Sequence, residues 1–314
     1  MSTEQPSPTD STTTSSGERL ASLRQRFEVF EGDRLGQIGL AILALFIFIG
    51  IFARPYTIEF LDFTVSTPGL APYDPGERAV GDRLESPSAA HPLGTTDMGR
   101  DVLSQLIAGT RVTLIVGSLA AFMAVFIGTN VGLISAYFGG WVDDVLMRIT
   151  DIVYGVPFLP FAIVLVAILG SSIVNIIVAI VLILWRSTAR VIRAQVLSHK
   201  QRPYVESAQA IGAGHVRIMY RHILPNVLPL TFLYAAFAVA WAVIAEASLS
   251  FLGFGDPNML SWGEMIYNVY TANAIREAWW WVFPPGICIM LFVMSVFFIG
   301  RTLEKEVNPE LNHQ

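Results

Sequence analysis

Charge is scarce in this sequence. Only 14% of its 314 residues are Asp, Glu, Lys or Arg, and 53% are hydrophobic, whereas a soluble domain carries about 25% charged residues. With a mean hydropathy of +0.55, that composition excludes an ordinary water-soluble domain and points to lipid as the solvent. Lysine is nearly missing. Lys200 and Lys305 are the only two and neither lies in a glycine-rich loop, so a Walker-type phosphate cradle is excluded. A net charge of −5 argues against nucleic acid as a partner. Cys288 is the single cysteine, which rules out an intrachain disulfide and a cysteine-based metal centre. The histidines (His91, His199, His215, His222, His313) lack ligand spacing, and neither H-E-x-x-H nor G-x-S-x-G occurs. The common zinc-protease and serine-hydrolase constellations are therefore absent. The chain reads as a non-enzyme with no metal, catalytic or cofactor-binding residue of its own.

Long apolar runs are abundant. A helix crosses about 30 Å of hydrocarbon with about 20 mostly apolar residues, and six candidates are visible: Leu35–Ala53, Val112–Phe138, Ile152–Gly170, Ile173–Trp185, Val227–Gly253 and Val282–Gly300. The third has Pro157 and Pro160 near its start, where a kink is expected. The fourth is short and continues helically through Arg186–His199. Trp279-Trp280-Trp281 reads as a headgroup-level anchor for the sixth. Backbone polar groups must be satisfied inside lipid, so the expected fold is an all-α membrane protein of six transmembrane helices.

Cations orient the spans. With the N-terminus inside, the inner segments hold fourteen of the 20 Lys and Arg residues and the outer ones six, which favours an N-in/C-in topology. The resulting layout is a disordered cytoplasmic tail and short segment at 1–34 (its first residues are Ser/Thr/Pro-rich, unlike a cleavable signal), a first helix at 35–53 and an extracytoplasmic loop at 54–111. A core of five helices follows at 112–300, and a cytoplasmic tail at 301–314. The expected location is a cell membrane, as a multi-pass protein in contact with the bilayer.

The inner loop at 200–226 is longer than a connector requires. Its stretch YVESAQAIGAGHVRIMYRHILPN, Tyr204–Asn226, reads as a helix, a glycine break and a second helix. Glu206 stands near the first helix start, where the dipole favours an anion. Gly212-Ala213-Gly214 allows the turn, Arg217 and Arg221 fall at i, i+4 on one face while Ile218 can point elsewhere with Ile211 and Leu224, and Pro225 is expected to stop the second helix. Two helices at a fixed angle form a rigid knob that a partner's groove can grip; a merely solvated loop helix is the alternative.

The same loop resembles the E-A-A-x3-G-x9-I-x-L-P signature of ABC importer permeases, through Glu206, Ser207, Ala208, Gly212, Leu224 and Pro225. Ser207 and His222 are departures from it. HPLGTTDMGRDVLSQLIAGTRVTL, His91–Leu114, is similar to the outer-loop motif of the dipeptide/oligopeptide and nickel permeases, C-type subunit, and includes Gly99, Arg100 and Asp101. Thr96 and Gln105 replace a usual Asp and Arg, so a charge pair is missing there, with Asp97 a candidate substitute. GGWVDDVLMRITDI and AEASLSFLGFGDPNMLSWGEMI match the same group. The resemblance implies a type I ABC importer permease fold. It also implies four partner chains: a homologous B-type permease, two ABC ATPase subunits that hold ATP and Mg, and an extracytoplasmic substrate-binding protein. In the family the inner loop is the coupling helix that docks on the ATPase. The implied cargo is a di- or oligopeptide, with nickel chelates or oligosaccharides as alternatives. A gradient-driven secondary transporter is the rival reading.

Several individual residues admit more than one reading. Glu246, inside the fifth span, reads as a gate or pathway residue, or else as a helix–helix hydrogen-bond partner near Ser248 and Ser250; Pro157 is the other pathway candidate. Arg148 is expected to pair with Asp144 and Asp151 on one helix. Arg186, Arg190 and Arg193 form a stripe expected to snorkel to headgroups.

Overall fold

The structure is a computed structural model describing residues 33–53, 56–60, 63–67 and 69–307. The tail residues 1–32 and 308–314, where disorder and a cytoplasmic end were expected, lie outside the described residues. The elements are α1 (Arg34–Phe52), a hairpin of β1 (Tyr56–Phe60) and β2 (Phe63–Thr67), α2 (Val102–Phe138), α3 (Gly140–Gly155), α4 (Phe158–Leu169), α5 (Ile173–Lys200) and α6 (Pro203–Ala210). They continue as α7 (His215–Arg217), a π-helical segment (Ile218–Ile223), α8 (Leu224–Leu249), a second π segment (Ser250–Phe254), α9 (Trp262–Thr271) and α10 (Trp279–Val307). Apart from the small antiparallel hairpin, the described fold is helical.

Five helices are long and apolar enough to cross a membrane, and six spans result if α3 and α4 count as one. The third span is not the kinked helix expected at Pro157 but a break that bends the pair by 90°. Proline lacks an N–H and restricts the residue before it to extended backbone, and Val156 adopts φ −87°, ψ 119°. α4 restarts with Pro157 as its N-cap. α2 starts at Val102 rather than near Val112, because Asp101 caps it by accepting from the Ser104 N–H at 2.7 Å.

The centre of the bundle is α2 against α5 and α8. Gly128 and Gly132 lie where a Cβ would run into the α5 backbone at Trp185 and Ala189, so small residues permit the backbones to approach closely, as lipid-embedded packing requires. Towards the outer side, Phe46 of α1, Trp262 of α9 and Phe292 of α10 form an edge-to-face trio with centroids 5.3 to 6.3 Å apart. At the opposite end Asp33 closes the ring of helices, accepting from Lys305 Nζ at 2.8 Å and Thr302 Oγ1 at 3.0 Å. This pairing places the start of α1 and the end of α10 on one face, as the cation count requires. Hydrogen bonding by Lys305 holds the Asp33 carboxyl below its usual range, against the opposing effect of burial.

Candidate coupling surface, translocation face and outer lobe

The inner knob is built from α6, α7 and the π segment. Glu206 sits in the first turn of α6, and Pro203 opens that helix at a position where a missing N–H costs nothing. The helix ends in a Schellman arrangement: Gly212 N–H donates to Gln209 O at 2.9 Å and Ala213 N–H to Ala208 O at 3.0 Å. Gly212 has φ +79° with nothing near its missing Cβ, so the position needs glycine for its backbone conformation rather than for space. Val205 and Ala208 are buried with Ile218, Met219 and Ile223 against Leu133 of α2 and Ile192 and Val196 of α5. Tyr137 and His215 hydrogen-bond at 2.9 Å, adding a polar clamp to that base.

Two expectations fail here. Ile211 does not share a face with Ile218: Ile218 is buried, whereas Ile211 is 84% exposed at the tip, close in sequence to Val216 at 66%, because the glycine turn swings it off the helix face. Pro225 does not stop the second helix either. His215–Phe254 is one helical run, and Leu224 N–H reaches back to Met219 O, a π-type register that lets the chain pass the proline without a break. Glu206, Ser207, Gly212 and Pro225 are exposed, Leu224 is half-buried and Ala208 is buried.

Above the knob, α3 lies beside α5, and the arginine stripe clamps it there. Arg193 makes a two-armed ion pair with Asp143, Arg190 pairs with Asp151, and Arg186 donates to Val153 O at 3.1 Å. Arg190 also lies over the Tyr154 ring at 3.8 Å. Asp143 and Asp151 therefore pair across to α5, Arg148 forms no ion pair with Asp144 or Asp151, and the stripe does not snorkel, because the 90° break brings α3 within reach of it. Next to that break is a pocket of about 300 Å³ lined by Tyr154, Phe158, Arg186, Tyr234 and Trp241 among others. Pro157, the pathway candidate, immediately precedes Phe158, whose ring meets Trp241 edge-on at 5.8 Å. Trp241 and Ile244 leave half-exposed apolar surface on α8.

Glu246 lies elsewhere. It is 3% exposed and accepts from Ser250 Oγ at 2.8 Å, while Ser248 donates to Ile244 O. α9 presses onto this end of α8, with Gly263 against the Ala247 backbone. Glu246 does not line the pocket beside Pro157. On α9, burial pushes the Glu264 carboxyl up to about 7, with the charges of Glu246 and Asp256 adding to the shift.

The outer loop folds into a lobe on α2, α9 and α10. His91 Nδ1 meets Asp101 Oδ1 at 3.0 Å, and Ser104 donates to Asp101 through both Oγ and N–H. Gly99 has φ +68° and packs on Ala79 and Gly81. The substituted positions find neutral partners: Thr96 Oγ1 accepts from Met98 and Arg100 N–H groups, and Gln105 donates to Pro75 O. Of the three tryptophans expected at the headgroups only Trp279 is exposed; Trp280 and Trp281 are buried in the lobe.

Residues 128–309 match the family described as binding-protein-dependent transport system inner membrane component. The chain belongs to that family. It is 35% identical over 289 residues to the dipeptide transport system permease protein DppC of Alkalihalophilus pseudofirmus, covering 92% of this chain and 90% of that one. It is 36% identical over 244 residues to the glutathione transport system permease protein GsiD of Pectobacterium atrosepticum, covering 77% and 80% respectively. A solved structure of the MetNI methionine ABC transporter in an inward-facing conformation aligns with a TM-score of 0.53 at 18% identity, over 65% of this chain and 96% of that one. That likeness shows the fold, a type I ABC permease. The protein is thus a multi-pass membrane permease component of an ABC importer. The clamp of α3 on α5 and the course of the helix past Pro225 were not visible in the sequence. The i, i+4, i+7 arginine spacing marked the stripe, but nothing local named its partners.

Proposed function

We propose that this permease imports peptides, pairs with a homologous B-type permease to enclose the path, and receives cargo from an extracytoplasmic binding protein. Two ATPase subunits complete the assembly and hold ATP and Mg, the knob of this chain docking on the ATPase and the chain itself carrying no cofactor. The observation that carries this reading is the inner knob: it is fixed at its base by Val205, Ala208, Ile218 and Met219 and offers Glu206, Ile211 and Val216 outward. A partner that moves such a knob moves α2, α5 and α8 with it. The half-exposed aromatic face around Trp241, Phe158 and the break at Pro157 suits the wall shared with the second permease, and the names of the relatives support a peptide cargo. Glu246, packed against α9, supports a structural hydrogen bond more than an ion-coupled site. Gly212→Phe is the direct test: transport and stimulated ATP hydrolysis fall while the protein still assembles in the membrane. Full activity in that variant would sink the coupling assignment.

A further inference from the structure

A groove of about 560 Å³ lies among α1, α2, α8 and α10, on the side of α8 away from the aromatic wall. Arg111, Leu114, Ile115 and Ser118 line it from α2, and their i, i+3, i+4, i+7 spacing puts them on one face. From α8 it takes Ala236 and Val239, whereas Tyr234, Phe237 and Trp241 line the wall pocket. At 3.6 residues per turn those two sets point to opposite sides of the helix. Phe292 and Val296 of α10 are buried and form the floor, while Ile47 and Ile51 of α1 and Ile115 of α2 are 44 to 50% exposed. The groove therefore opens between α1 and α2.

Its depth and polarity match a lipid. On α1 the lining runs from Leu43 to Ile51, a rise of about 12 Å at 1.5 Å per residue. Half the hydrocarbon thickness is about 15 Å, so the groove spans most of one leaflet. Gly50, in the last turn of α1, fixes its outer end: a Cβ there would lie 3.7 Å from Arg111 Cα. Arg111 thus stands level with the outer end of the first span, where headgroups begin. The rest of the lining is apolar apart from Ser118, and no carboxylate belongs to it.

Such a surface suits an amphiphile with an anionic head. A guanidinium binds phosphate through charge-assisted, often two-armed hydrogen bonds. It carries five N–H donors and keeps its charge, so a phosphate is met even where one arm is engaged elsewhere. Basic pockets between membrane helices receive anionic headgroups in this way. An apolar helix from a partner would fill the groove without using the cation at its head.

We propose that this groove holds one anionic phospholipid of the outer leaflet, its phosphate at Arg111 and an acyl chain laid over Phe292 and Val296. The import reading enters only in placing the second permease on the far side of α8. The test uses full-length protein in detergent micelles with equal amounts of phosphatidylglycerol and phosphatidylcholine of the same acyl chains. Native mass spectrometry then shows one retained lipid, phosphatidylglycerol being preferred about tenfold. Arg111→Gln abolishes the preference, Arg111→Lys keeps most of it, and Ser118→Phe, which fills the groove, lowers retention of both lipids severalfold. No preference in the wild type, a preference that survives Arg111→Gln, or retention unmoved by Ser118→Phe overturns the proposal.

In the assembled transporter, a photo-crosslinking side chain introduced at Ser118 labels phospholipid; a label on the second permease there overturns the proposal. The same crosslinker at Trp241 labels the second permease. If it does not, the reading of the aromatic wall fails, while the lipid retention still decides the groove.

Discussion

The inner knob and the outer lobe both carry dense family signatures, and they use them in opposite ways. In the outer lobe His91, Thr95, Thr96, Asp101, Ser104 and Gln105 are each at most 3% exposed and spend their polar atoms on one another and on nearby backbone. In the knob Glu206, Ser207, Gly212 and Pro225 face outward. One motif completes a folded cap; the other leaves a surface that only a partner completes. A recognisable motif thus says little about whether its residues hold the fold or wait for a neighbour.

The contrast is open to test, beginning with its strongest member. Asp101→Ala removes an N-cap and the partner of a buried histidine and a buried serine at once, so it is expected to destabilise by about 3–5 kcal/mol. Thermal unfolding of the purified protein would register the loss, and a melting point unchanged from wild type would break the comparison at the outer lobe. Gly212→Ala comes next. It forces a side chain into left-handed backbone at a cost of about 1–2 kcal/mol, again read by thermal unfolding. Its effect on coupling should exceed what that loss explains, because the turn sets where Ile211 and Val216 point.

The third test is a pH series. Glu264 titrates near 7 in the fold and near 4.3 when unfolded, so between those values the folded form binds the extra proton. Stability then declines as pH rises from about 4.3 through 7 and levels off above. Glu264→Gln should flatten that decline in unfolding experiments across the range; a slope preserved in the variant counts against the assignment. Asp33→Asn follows, with an expected loss of about 1 kcal/mol or less for a partly solvated pair. The depressed Asp33 carboxyl stabilises above its unfolded value and loses that contribution as pH falls through the folded one, so this variant differs from wild type at neutral pH and converges with it in acid.

Glu206→Ala is the smallest in stability, within about 0.5 kcal/mol for an exposed residue. It is also the most telling, because stimulated ATP hydrolysis in the assembled transporter should drop severalfold with the melting point unmoved. A variant that unfolds instead would place Glu206 with the outer-lobe residues and erase the distinction.

Much of this was legible in the residues themselves. Apolar runs of sufficient length name their own spans, because crossing lipid is a property of one segment. Glu206, Gly212 and Pro225 in register named the knob, and the glycine turn after α6 was expected and found. Side-chain direction beyond a local turn was not legible, and Ile211 shows why: it was grouped with Ile218 and Leu224 on one face, while the left-handed turn at Gly212 sent it to the exposed tip. Pro225 failed for a related reason. Its ring forbids an ordinary helical bond, but a π register formed with residues before it absorbs the defect.

The sequence alone marked the lipid environment, the apolar runs long enough to span it and the family, all of which depend on composition, length and short-range order. Tertiary structure alone decided the partners of the arginine stripe. Arg190 and Arg193 meet acids 39 and 50 positions away, a distance that no periodicity encodes. It alone exposed Ile211 at the tip of the knob and buried Trp281 in the outer lobe. The physical reason is common to both: periodicity tells which face of a helix avoids water, whereas the group that face meets depends on how the other helices pack around it.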